Sequence, residues 1–457
     1  SCFGIVHDDP SVCSFRGKCI SNDLCECLPS YGGRDCSVSQ CYGVNSTDPQ
    51  VCSGGGMCVS RDTCICYQGY SGLNCEVASF GFLYSAGQDS YSQLRSNEIG
   101  FQINVNKATQ FSSEPINLIV PSYQYSLLRT VKGEVYSWGF GEHGQLGDNT
   151  TISRKIKRQI LKDKHIIGLC GGMQHGMALD SAGVVYAWGN NIDGQIGIDS
   201  PEEYHLEPTR VTGLLLREKI VAISCGTYHN LVLNLNGTVF SWGRNQYGQL
   251  GDGSFSERYS PVKVGGLLDR KKIVQITAGR YHSMALGSDG SLYAWGLNDQ
   301  GQLGINHRRN IFSPVQVSGE LYGKSVILVS GGTSFSLAVT HDGHVYAWGS
   351  NKEGQLGDGT TVDRLVPTRV TILPNDTRII TVSAGDSFSL AVSENKTAYA
   401  WGNNVYGQLG NGQYDQMSTT SLTVVKTPFA SAYTTAVGAG DNFSFFLFNG
   451  TTCFGKF

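Results

Sequence analysis

The chain has 457 residues, a net charge of −3 and only 16% charged residues. That length holds two or three domains and a large core. No polybasic tail marks a nucleic-acid or acidic-membrane surface, and no run approaches the roughly 18 apolar residues of a membrane span.

Residues 1–79 are rich in cysteine. Cysteines fall at 2, 13, 19, 25, 27 and 36, then at 41, 52, 58, 64, 66 and 75, with gaps of 10, 5, 5, 1 and 8 residues in both sets. The spacing predicts two tandem modules, 1–37 and 38–79. Each is too small for a sufficient apolar core, so covalent staples are expected. Six cysteines allow 15 pairings, and spacing alone does not choose among them. Zinc on the Cys-x-Cys pairs is disfavoured, because zinc sites use Cys-x2–4-Cys knuckles.

From residue 80 a different pattern takes over. The phrase VYSWGFGEHGQLG at 135–147 returns as VYAWGNNIDGQIG, VFSWGRNQYGQLG, LYAWGLNDQGQLG, VYAWGSNKEGQLG and AYAWGNNVYGQLG. Trp138, Trp188, Trp242, Trp295, Trp348 and Trp401 are 50 to 54 residues apart. A second phrase of buried-strand character, expected to form the inner strand, precedes each copy, for example GTYHNLVL at 226–233. Between the two phrases sit Asn-Gly or Asp-Gly pairs such as Asn236-Gly237 and Asp289-Gly290, which supply the positive φ of two-residue hairpins. Pro208, Pro261, Pro314 and Pro367 follow the GQLG tails, where an edge strand or a strand start suits proline. Four short strands per repeat, set around a ring, predict an all-β propeller over 80–457. The strand phrase before the tryptophan phrase occurs seven times, which fits seven blades.

Two degenerate tryptophan strands remain. One is LYSAGQDSYSQLR at 83–95, with Ala86 in the tryptophan slot. The other is Thr452–Phe457, with Phe454 there. Residues 80–87 and 449–457 therefore compete for one blade edge. The unused strand is expected to be free for contact with another molecule.

The repeat phrases resemble those of the regulator-of-chromosome-condensation family, whose members form seven-bladed propellers closed by a strand from one terminus. The endings CLPSYGGRDC and CYQGYSGLNC, each after a Cys-x-Cys, resemble epidermal-growth-factor-like modules. That second resemblance implies Cys2–Cys19, Cys13–Cys25 and Cys27–Cys36, then Cys41–Cys58, Cys52–Cys64 and Cys66–Cys75. The stretch Ser37-Val38-Ser39-Gln40 carries no carboxylate, so no calcium site is expected between the modules.

His175, His229 and His282 share one repeat position, but Phe335, Phe388 and Phe443 replace them in later repeats. They read as structural rather than metal-ligating. The GQLG tails lack the lysine and hydroxyl residue of a phosphate loop, so they read as turn chemistry. Glu202-Glu203 lies in an exposed loop, and no nucleophile elbow or zinc helix is found. The expectation is a non-enzyme with no cofactor and no metal. Cys170 and Cys225 are either buried thiols or one bridge between blades. Cys453 is either free or a link to another molecule.

Sequons at Asn45, Asn149, Asn236, Asn375, Asn395 and Asn449 read as glycosylation sites in loops, whereas Asn442 falls on a strand phrase and is discounted. Together with the paired cysteines and an opening at Ser1-Cys2, they suggest a processed protein of the eukaryotic secretory pathway. The expectation is a secreted structural or adhesive building block of an extracellular assembly. Its partners would be itself or other extracellular proteins or glycans, without nucleic acid or direct membrane insertion. The alternative is a soluble extracellular ligand-binding module, lectin-like or an enzyme inhibitor. Guanine-nucleotide exchange, which the first resemblance also implies, ranks behind both. Non-reducing peptide mapping is expected to return the first-to-third, second-to-fourth, fifth-to-sixth pattern within each module. A bridge between modules would overturn it.

Overall fold

In the computed structural model, side chains are described for residues 83–94, 116–413, 421–425 and 434–448, with further strands given by backbone alone. The chain divides into two compact units, Ser1–Ser79 and Phe80–Phe457. In the first, Gly17–Ser21 pairs with Leu24–Cys27, and the same hairpin recurs as Gly56–Ser60 with Thr63–Cys66. The cysteine pairings expected there lie outside the described residues, as does Cys453.

The second unit contains seven four-stranded antiparallel sheets, each in simple sequential order except the last. Blade 3 serves as the pattern. Its innermost strand is Ile220–Cys225, followed by His229–Asn234, Val239–Gly243 and the outermost strand Arg258–Lys263. The GTYHNLVL phrase, expected as the inner strand, instead forms a turn and the second strand, and the apolar run before it, Ile220–Cys225, lies innermost. The hairpin between second and third strands turns at Asn236-Gly237, where Gly237 has φ +85°. The four prolines sit inside the outermost strands of blades 2 to 5.

Both faces of a blade meet neighbours, so its middle strands are buried throughout. All six residues of His229–Asn234 and all five of Val239–Gly243 are buried. The six tryptophans are fully buried. Each indole leaves its own blade: Trp242 Nε1 donates to the Gln195 carbonyl of the preceding GQLG-type tail at 2.9 Å. The same bond joins Trp188 to Gln145, Trp295 to Gln249, Trp348 to Gln302 and Trp401 to Gln355. Trp138 donates to the Gln93 carbonyl at 2.8 Å, so the degenerate segment 83–95 performs the work of a regular tail.

That segment also closes the ring. Phe82–Gln88 pairs with Phe443–Asn449 on one side and Phe101–Lys107 on the other, giving blade 7 two strands from each end of the unit. Tyr433–Ala439 then neighbours Ile116–Pro121 of blade 1. Of the two competing strands, the N-terminal one takes the edge. Thr452–Phe457 lies outside the described residues.

Cys170 and Cys225 form a disulfide between the innermost strands of blades 2 and 3, with Cα atoms 5.5 Å apart. Serine and threonine extend this stitching by hydrogen bonds. Ser224 Oγ accepts from Ala278 N–H at 3.0 Å, and Thr277 Oγ1 accepts from Gly331 N–H at 3.2 Å.

Trp242→Phe keeps an aromatic ring, smaller than the indole, and removes the indole N–H. The Gln195 carbonyl keeps a second donor, Asn230 Nδ2, at 2.7 Å. A loss of about 1–2 kcal/mol is expected in urea unfolding, against about 3–5 kcal/mol for Trp242→Ala. No loss in Trp242→Phe would mean that the bond contributes nothing beyond packing.

Candidate binding face at the channel mouth

The turns between first and second strands converge at one end of the central channel. In each blade the turn begins with a small residue, glycine in blades 2 to 7 (Gly172, Gly226, Gly279, Gly332, Gly385 and Gly440). At Gly226 a Cβ would overlap the His229 ring and press on the Gly279 carbonyl, so the tight turn requires glycine. Backbone bonds then link neighbouring turns: Met173 N–H to the Thr227 carbonyl, Thr227 N–H to the Arg280 carbonyl, and Arg280 N–H to the Gly332 carbonyl.

Beneath the turns lies a fully buried ring: Tyr125, His175, His229, His282, Phe335, Phe388 and Phe443. The three histidines do not converge on a common centre. Each reaches into the next blade instead. His175 Nε2 lies 2.8 Å from Asn230 Oδ1, His229 Nε2 lies 2.9 Å from Ser283 Oγ, and His282 Nε2 lies 3.0 Å from Ser336 Oγ. Asn230 Nδ2, Ser283 Oγ and Ser336 Oγ donate onward to the Gln195, Gln249 and Gln302 carbonyls. That leaves Asn230 Oδ1 and the hydroxyl oxygens as acceptors, so each Nε2 carries the proton. Among the described residues, no cluster of three or more His, Cys, Asp or Glu has metal-binding geometry. Glu202 and Glu203 sit in an exposed loop beside Tyr259.

Above the buried ring the mouth is lined by three residues per blade, the last of which is Tyr123, Met173, Thr227, Arg280, Thr333, Asp386 or Asp441. Burial and the Asp386 carboxylate push Asp441 up to about 7, while the Arg280 charge pulls it down. Burial also raises the Tyr123 phenol, with the Asp441 charge adding to it.

Beside the mouth, aromatic and cationic groups form a continuous strip across blades 2 to 4. The Tyr228 and Tyr281 rings stack 6.2 Å apart, and Tyr247 meets Tyr281 edge-on at 5.2 Å. The Arg244 guanidinium lies 4.5 Å from the Tyr228 ring and is fixed by Asp193 at 2.9 Å. Tyr228 Oη donates to Met173 Sδ at 3.0 Å. Sequence reading passed over these residues because they are the part of each repeat that does not repeat. A comparison of the seven turns, position by position, carries the signal.

Asn149, Asn236, Asn375 and Asn395 are exposed in loops or turns. Asn442 lies in a mouth turn rather than within a strand. It is half-buried, and its carbonyl accepts from Gln88 N–H at 2.9 Å.

Burial holds His175 and His282 down to about 4, and it holds His229 down to about 3 with help from the neighbouring histidines. The folded state therefore binds fewer protons than the unfolded one from there up to about 6.5. The contribution of the neutral histidines is full above about pH 6.5 and is lost as pH falls through the folded values. Asp441 acts oppositely: its folded value is raised, so its contribution is full at low pH and fades toward 7. Three protons outweigh one. His229→Phe, which copies the residue of blades 5 to 7, is expected to flatten the rise in stability between about pH 4 and 6.5 by about one proton. Urea midpoints at stepped pH measure it. An unchanged slope would mean that His229 is protonated in the fold.

The RCC1-like domain model matches residues 82–446. The ultraviolet-B receptor UVR8 of Arabidopsis thaliana is 33% identical over 286 residues, covering 61% of this chain and 63% of the receptor. The E3 ubiquitin-protein ligase HERC2 of Homo sapiens is 35% identical over 281 residues, 61% of this chain but 6% of the ligase. The chain thus spans less than two thirds of either relative. Prp20p of Saccharomyces cerevisiae superposes with a TM-score of 0.73 at 22% identity, covering 84% of this chain and 94% of that one. Human WBSCR16 gives 0.70 at 21%, covering 82% and 100%. These findings correct the expectation of a secreted structural or adhesive scaffold: the curated relatives are a receptor and a ligase, proteins of regulation. The ring removes part of that expectation's physical basis as well, since strand 82–88 is used in closing blade 7 rather than left for assembly. With 82–446 matched, the chain belongs to the RCC1-like domain family.

Proposed function

We propose that the chain is a non-enzymatic regulatory binding module that docks a protein partner on the channel-mouth end of its ring. The observation that carries this reading is where the seven repeats part company. Glycine precedes the lining position in six turns, and a buried ring follows two residues later in all seven. The lining position itself holds Tyr123, Met173, Thr227, Arg280, Thr333, Asp386 and Asp441. The small turn residue and the buried ring hold the fold, and the varied lining position faces the mouth.

The shape supports a surface rather than an enclosed site. The mouth holds about 130 Å³, less than the roughly 300–1,000 Å³ of small-molecule pockets. Tyrosine and arginine, which line the neighbouring strip, are the residue types that dominate protein interfaces. The receptor and ligase relatives favour a regulatory role. A secretory location is a separate proposal. It is supported by the Cys170–Cys225 bridge and by exposed sequons at Asn149, Asn236, Asn375 and Asn395.

Crosslinking and affinity enrichment with the full chain test the docking face. Arg280→Glu, Tyr228→Ala and Tyr281→Ala are expected to reduce capture of the bound protein by about tenfold or more. Tyr322→Ser, at an exposed position on the opposite end of the ring, is expected to leave capture intact. Capture unchanged in all three mouth variants would overturn the reading.

A further inference from the structure

Successive strands of a blade alternate in direction, so the crossovers from each outer strand to the next inner strand lie at the end of the ring away from the mouth. Two of these crossovers are nearly identical. Blade 2 passes to blade 3 through Gly213–Arg217 (GLLLR), and blade 3 to blade 4 through Gly266–Arg270 (GLLDR). One residue of the five differs, and it changes the electrostatics of the turn. In the second crossover Asp269 holds Lys263 Nζ at 2.6 Å. Lys263 is the register partner of Phe240, and Arg210 is that of Tyr186, so the two cations occupy the same place in successive blades. Leu216 stands where Asp269 would be, and it is 52% exposed. Arg210 is exposed and enters no ion pair among the described residues.

A groove of about 300 Å³ opens beside Leu216. Its floor is apolar, with Val185, Val211, Leu215 and Ile220 all buried. Its rim is cationic. Arg210, Arg217 and Lys219 line it, and all three are exposed without an ion pair among the described residues. The neighbouring carboxylates are engaged within their own blades. Glu218 accepts from Asn234 Nδ2 at 2.6 Å. Asp180, in the hairpin whose Ala182 and Gly183 form one wall, accepts from the Ala182 and Val184 N–H groups at 3.0 and 2.9 Å. Three uncompensated cations therefore surround one apolar floor.

We propose that this groove seats an acidic segment of a partner protein, with one apolar side chain on the floor and carboxylates on Arg210, Arg217 and Lys219. Charge complementarity selects the occupant. An apolar floor alone accepts any hydrophobic segment, whereas the rim favours one flanked by carboxylates. The buried floor lies below the rim, within reach of a projecting side chain and not of a flat bilayer. The site is separate from the mouth, which lies at the other end of the axis.

The test uses the full chain and a fluorescein-labelled peptide, Asp-Glu-Leu-Glu-Asp. Fluorescence anisotropy is expected to report saturable binding that weakens with salt. A peptide of the same charge with serine for leucine is expected to bind at least about tenfold more weakly. Leu216→Asp installs the residue of the sister crossover, so the blade is expected to fold, as circular dichroism would check. Its carboxylate is expected to pair with Arg210 and to weaken binding at least about tenfold. Arg217→Glu with Lys219→Glu is expected to abolish binding, and Arg280→Glu at the mouth to leave it unchanged. Three results overturn the proposal: no binding by wild type, equal binding of the serine peptide, or unchanged binding by Leu216→Asp. Equal binding of the serine peptide would mean attraction of any polyanion. Capture of phosphatidylserine vesicles without capture of the peptide would assign the groove to a bilayer and overturn the proposal as well.

Discussion

The ring rests on one contact made six times: a tryptophan indole donating to the glutamine carbonyl of the preceding blade's tail. The acceptor takes a second donor from the same incoming blade, Asn230 Nδ2 at Gln195 or the Ser283, Ser336 and Ser389 hydroxyls at Gln249, Gln302 and Gln355. Where both donors are present, they fix a blade against its neighbour in both distance and rotation; at the Gln145 carbonyl, where Gly176 replaces the serine or asparagine, Trp188 is the one donor among the described residues. A buried carbonyl without partners would cost more than a single bond gives, so tail and tryptophan depend on each other. In three successive blades the buried histidine extends the chain of bonds by one more link. A single network then runs from His229 through Ser283 to the Gln249 carbonyl, where the Trp295 indole also ends.

This contact explains why a degenerate segment can still close the ring. Residues 83–95 lack the tryptophan, with Ala86 in its slot, yet Gln93 still offers its carbonyl to Trp138 and Ser126. The tryptophan lost from blade 7 is replaced in kind by phenylalanine: Phe443, Phe445, Phe446 and Phe448 are all fully buried, and Phe446 stacks on Phe448 with centroids 6.0 Å apart. Pairing the two ends of the unit within one blade ties first contacts to last. Opening the ring within this blade then requires breaking the ladder between Phe82–Gln88 and Phe443–Asn449.

Most of this architecture was legible in the chain. Tryptophan spacing gave the period, Asn-Gly pairs gave the hairpins, and prolines marked the outer strands. The identity of the innermost strand was less plain, because two apolar runs follow each other across a short glycine turn. Only the channel decides which of them faces inward. The Cys170–Cys225 bridge needed three dimensions, since the two residues stand one position apart in the repeat and meet only through the offset of adjacent blades. The mouth residues and the groove at the far end were overlooked for the same reason. The first are the irregular remainder of a regular phrase. The second turns on a single exchange inside another, Leu216 for Asp269.

The same division of labour organises the protein as a whole. Positions that repeat carry buried hydrogen bonds whose loss would be felt by two blades, and they leave little room for variety. Positions free to differ are those whose side chains leave the stack, at the mouth and at the opposite end. Arg280 facing Asp386 and Asp441 is a departure that the fold tolerates at little cost, because the bonds between neighbouring turns are made by its backbone and not by its side chain. A scaffold built from identical joints can therefore acquire distinct surfaces at separate places, one at each end of the axis, without either change reaching the core that holds both.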